Sequence, residues 1–94
     1  MPTEQEVKDY LGIDFEDEVS NRNITRLIKV AKSYLEGSIS KIPEDDERVK
    51  QLALFIIEDL YDRGSYTVKE NKTLEKMKND FIMQLQCEGR ANNV

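Results

Sequence analysis

The chain contains no histidine and a single cysteine, Cys87. Without histidine there is no Ser–His or Cys–His nucleophile pair, no HExxH zinc helix and no ordinary proton shuttle near neutral pH. One cysteine cannot close an intrachain disulfide or build a multi-thiolate metal site, and so near the C-terminus it reads as a reduced spectator. Apolar residues are scarce at 38% of the sequence, whereas charged residues reach 35%. Globular chains average roughly 45–50% apolar (a figure that also counts glycine) and roughly 25% charged. No run approaches the ~18–20 uncharged apolar residues that a membrane span needs. The opening MPTEQEVKDY lacks the basic and apolar regions of a secretion signal. The sequons at Asn23 and Asn71 therefore read as chance, and synthesis in the cytoplasm is expected. There is no internal repeat and no low-complexity segment.

What is present is acid. Nineteen Asp and Glu against fourteen Lys and Arg give a formal net charge of −5 over 94 residues. That total repels phosphate and disfavours nucleic-acid binding, although a local basic face can outweigh it. The length supports one domain, which buries only about 60–65% of the surface its unfolded chain exposes. A thin apolar inventory on so small a domain predicts modest stability, which burial against neighbouring copies would raise.

Hydrophobic spacing predicts an all-α fold, a small bundle of about four helices with a long second and a buried third helix. The domain spans residues 1–86, and 87–94 reads as a flexible tail. The first helix covers Glu4 to Leu11, capped by Thr3 with Glu6 completing a capping box and ended by Gly12. The second runs from about Glu18 to Ser38, with Ile24, Leu27, Ile28, Ala31, Tyr34 and Leu35 in one sector and Arg22, Arg26 and Lys29 opposite. The third starts at or just after Pro43, with Glu44, Asp45, Asp46 and Glu47 in its first turn. Its apolar residues reach well around the wheel, so it is expected to be the central strut, packed on several sides. Gly64 ends it, Ser65 to Asn71 reads as a surface loop, and the fourth helix covers about Thr73 to Gln86. The interior is assigned to Leu27, Ile28, Ala31 and Leu35 of the second helix and Val49, Leu52, Ala53, Ile56 and Leu60 of the third. Leu74, Phe81 and Leu85 of the fourth complete it.

The carboxylate runs Asp14–Glu18 and Glu44–Glu47 lack the alternating ligands, central glycine and terminal Glu of a calcium loop, and helix-start chemistry accounts for both. No catalytic residue, metal or cofactor is assigned. Glu58, Asp59 and Asp62 lie close together on the third helix and read as a solvated or intersubunit face rather than an acid–base pair. Arg22, Arg26 and Lys29, and likewise Lys69, Lys72 and Lys76, form basic edges without interleaved aromatics, the ordinary polar backs of amphipathic helices. Candidate interface residues are Arg22, Arg26, Lys29, Phe55, Glu58, Asp59, Asp62, Tyr66 and Val68. Tyr66, Thr67 and Val68 favour an extended conformation that would pair with a neighbouring chain if they did not form a plain loop.

Three stretches then carry a resemblance to the phage head–tail connector (adaptor) family. They are Glu6-Val7-Lys8-Asp9-Tyr10-Leu11-Gly12-Ile13-Asp14, the helix from Asn23 through Leu27-Ile28, Ala31 and Tyr34-Leu35-Glu36, and Val49-Lys50-Gln51-Leu52 leading to Leu60-Tyr61-Asp62-Arg63. The ending Met83-Gln84-Leu85-Gln86 is also similar to the close of some members. The likeness covers about Glu4 to Gln86, and its order and spacing are more specific than any one motif. Two features depart from the pattern: Gly37-Ser38-Ile39 is compact where members often carry a Pro and a longer loop, and Gly89 to Val94 has no counterpart. The resemblance implies a homo-oligomeric ring of about a dozen copies between the portal protein and a tail or stopper protein. DNA would pass through it without sequence-specific binding. It also implies assembly in the host cytoplasm and a final place at the virion head–tail interface, with no membrane involved. The alternative from the residues is a small helical nucleic-acid-binding or regulatory module; an enzyme is not expected.

Overall fold

A computed structural model describes residues 1–13, 17–39 and 46–92, with side chains to residue 88. Four helices occupy them: α1 (Glu4–Leu11), α2 (Glu18–Ser38), α3 (Glu47–Arg63) and α4 (Lys72–Asn92). Among the described residues there is no strand, and the fold is an all-α small bundle.

Local chemistry sets the helix ends. The Thr3 hydroxyl accepts from the Glu6 N–H, and the Glu6 carboxylate accepts from the Thr3 N–H, each at 3.1 Å. Asp17 and Asp46 cap α2 and α3 by accepting from the N–H groups of Val19 and Arg48. Asn71 does the same for α4, its side-chain oxygen 2.8 Å from the Leu74 nitrogen. Gly12 and Gly64 terminate α1 and α3 with φ of 74° and 63°, a left-handed conformation that side chains resist.

Two boundaries differ from expectation. The acidic run was expected to fill the first turn of α3, but the helix begins at Glu47, with Asp46 outside it as the cap. Residues 44 and 45, like 14–16, lie outside the described residues, and so do the carboxylate clusters that include them. At the other end, α4 continues past Gln86 to Asn92, through Gly89. Glycine in a helix interior costs only about 1 kcal/mol relative to alanine, so a single one weakens a helix without stopping it.

α3 is the central strut, packed against α1, α2 and α4, while α1 also packs on α2. Val49, Leu52, Ala53, Ile56 and Leu60 are all buried, as are Leu27, Ala31 and Leu35 of α2 and Leu74 and Phe81 of α4. Ile28 and Leu85 are only partly buried, packed at the margin of this cluster. Val7, Ile24, Ile39, Leu54 and Ile57 join the interior as well. Polar ties reinforce the packing: Lys50 pairs with Glu6 of α1 at 2.7 Å, and Arg48 pairs with Glu88 of α4 at 2.9 Å.

The bundle is elongated, 50 × 24 × 19 Å. Beyond Phe81, no described side chain of α4 is buried, and Met83 is 62% exposed. No helix among the described residues is long and apolar enough to cross a membrane.

Candidate interaction surfaces

The loop joining α3 to α4 positions the first surface. Residues 65–71 run back along the side of α2 instead of standing free. The Tyr66 hydroxyl hydrogen-bonds the Asn23 side-chain oxygen, and the Arg26 guanidinium lies 5.0 Å from the centre of the Tyr66 ring. Further along, the Tyr34 hydroxyl donates to Glu70 at 2.5 Å and accepts from the Lys78 ammonium at 2.6 Å. Lys78 also pairs with Glu70 at 2.9 Å. The Tyr34 hydrogen bond, aided by Lys78, holds the Glu70 carboxyl below its ordinary pKa. Val68 is partly buried against the core and belongs to no strand.

This docking turns the outer face of α2 into a basic surface with an aromatic edge. Val19, Ser20, Arg22, Asn23, Arg26 and Tyr66 line an open cleft of about 550 Å³. Arg22 and Arg26 continue into a second hollow with Thr25 and Lys29. Arg22, Arg26 and Lys29 are exposed and form no ion pair among the described residues. Other cations are paired locally: Arg48 with Asp46 and Glu88, Lys50 with Glu6 and Glu47, Arg63 with Asp59.

The second surface is the outward strip of α3, formed by Gln51, Phe55, Glu58 and Asp62. Gln51 and Asp62 are exposed; Phe55 and Glu58 are half-buried. One flank is α1, where the Glu58 carboxylate beside the Tyr10 hydroxyl pushes that phenol above its ordinary pKa. The other flank is α4, where Arg48 donates to Gln84 at 2.9 Å and lies over the Phe81 ring. The structure thus gathers Arg22, Arg26, Lys29 and Tyr66 on one face and Phe55, Glu58 and Asp62 on another. Asp59 stands apart from both groups, held by Arg63 at 2.7 Å, and Val68 is tucked towards the core.

Sequence reasoning missed the stacking of Arg26 on Tyr66, because no local pattern links residues so far apart in the chain. It described the basic edge of α2 as lacking aromatics; the loop supplies one. Compared with protein-family models, with curated proteins and with solved structures, the chain matches none.

Proposed function

We propose that the chain is a structural subunit of a phage head–tail connector, assembling with its own copies into a ring between the portal and a tail or stopper protein. The observation that carries this reading is the ordered set of connector-like segments, the first lying on α1 as far as Leu11 and the next two on α2 and α3 in turn. Two charged outward faces, the cations of one forming no ion pair among the described residues, add support, since such faces suit contact with other protein chains. A net charge of −5 also suits a passage through which DNA must slide without being gripped. The subunit acts by shape and contact, with no catalytic step, in the host cytoplasm during assembly and then at the head–tail junction. Native mass spectrometry and electron microscopy of the purified protein, with and without portal protein, test it. Closed rings or portal-bound rings are the expected result; a chain that stays single and unattached at high concentration with portal present overturns the reading.

A second reading is a small nucleic-acid-binding module, favoured by one observation: the cleft where Arg22 and Arg26 stand beside the Tyr66 ring. Retention on heparin or DNA at moderate salt is its test.

A further inference from the structure

The two outward stripes share one spacing. On α2, Arg22, Arg26, Lys29 and Ser33 repeat at i, i+4, i+7 and i+11, and all four are exposed. On α3, Gln51, Phe55, Glu58 and Asp62 repeat at the same steps. Laid antiparallel, the stripes match position by position. Arg22 meets Asp62, Arg26 meets Glu58, the Lys29 stem and ammonium meet the Phe55 ring, and Ser33 meets Gln51. Two pairs are ionic, one is cation–π and one is a hydrogen bond.

The surroundings favour this pairing over solvent. α1 and α4 both pack on α3 but not on one another, and the strip lies between them, with Glu58 beside Tyr10 of α1 and Gln51 beside Phe81 and Gln84 of α4. Tyr10 and Tyr61 border that strip, at 47% and 41% exposed, and Val19 and Tyr66 border the basic stripe, at 68% and 43%. Aromatic and arginine side chains are what protein interfaces concentrate at their centres.

We infer that α2 of one copy docks antiparallel onto the α3 strip of the next copy, with Arg22 and Arg26 against Asp62 and Glu58. This rests on the ring-forming reading above and names the two faces that meet. A second copy is favoured over nucleic acid because the complementary acid is on the chain itself, whereas its overall charge of −5 repels phosphate. The two faces are dissimilar, so each copy gives one and receives one. Such a contact propagates head to tail and closes into a ring when the rotation allows.

The experiment is sedimentation velocity on three proteins and one mixture, at matched concentration and low salt. The first variant is R22E/R26E, the second E58R/D62R, and circular dichroism melts establish that each keeps the helical fold. The wild type is expected to assemble, and less so as salt rises. Each variant alone is expected to lose assembly, its apparent dissociation constant rising roughly tenfold or more, because like charges then face one another. Mixing the two variants restores assembly, since each reversed face finds the opposite charge on the other variant; no misfolding effect produces that rescue. Variants that assemble like the wild type overturn the assignment of faces while leaving the ring reading intact. A wild type that stays monomeric at every concentration overturns both. Loss of duplex DNA mobility shift in R22E/R26E, with self-assembly unchanged, overturns the inference in favour of a nucleic-acid surface.

Discussion

Ile57 shows how far the interior reaches round α3. It is fully buried although it lies off the main stripe of Val49, Leu52, Ala53, Ile56 and Leu60. Replacing it with alanine deletes buried carbons and leaves a cavity, with an expected loss of about 2–5 kcal/mol in chemical denaturation. Ile56→Asp or Leu60→Asp is more severe, because an unpaired carboxylate would enter the core, and either variant is expected to be unfolded by circular dichroism. A well-folded monomer from either contradicts the packing described above. Gly64 makes a different demand. Nothing lies within 4 Å of a β-carbon added there, but its φ is +63°. Gly64→Ala is thus a pure backbone test, expected to cost about 1 kcal/mol in the same measurement.

At the scale of elements, the clasp between the 65–71 loop, α2 and α4 is the most informative unit. Tyr34→Phe removes one hydroxyl that both donates to Glu70 and accepts from Lys78, while leaving those two charges paired. The expected loss is about 0.5–1.5 kcal/mol, with faster amide exchange in the loop. The distal turns of α4 make a second test: Cys87 is exposed, so its thiol in dilute native protein is expected to be alkylated without any unfolding. Slow alkylation would mean that these turns are covered.

Legibility in the sequence followed the range of the forces involved. The ends of α1 were readable because Thr3, Glu6 and Gly12 act on their own backbone within a turn. α2 was readable because a long, clean division of apolar and charged residues leaves one burial solution. The start of α3 was misplaced because a carboxylate run suits both a cap and a first turn, and only the Asp46 contact with the Arg48 N–H distinguishes them. The end of α4 was misplaced because Gly89 signals a stop only when its backbone turns left-handed. Of the candidate surface residues, the charges of α2 and α3 were visible as helix backs. Their separation into two coherent faces was not, because it depends on how α3 is wedged among three partners and on where the loop lays Tyr66.

For the whole molecule, acid sensitivity follows from three carboxylates. Glu6, Asp46 and Glu70 are each held below their ordinary pKa, chiefly by Lys50, Arg48 and Tyr34 respectively. A depressed folded pKa contributes stability above the unfolded value, and that contribution is lost as pH falls through the folded value. Melting temperature is therefore expected to fall as pH drops below roughly 4. In the E6Q/E70Q variant the fall should be shallower; Gln at position 6 can still serve the capping box. Melts followed by circular dichroism across that range check it. The whole-molecule shape adds a point about size: a radius of gyration of 14.3 Å exceeds the roughly 12 Å of a compact chain this long.

The excess length has a mechanical side. α4 is rooted in the bundle through Leu74 and Phe81, and beyond Phe81 its described side chains include only partly buried contacts, Ile82 and Leu85 at the core margin. A tug on the last turns of α4 would thus be borne at Phe81 and at the Arg48 contacts with Gln84 and Glu88 and passed straight into α3, which packs on each of the other described helices, so the chain possesses a handle fixed to its central beam.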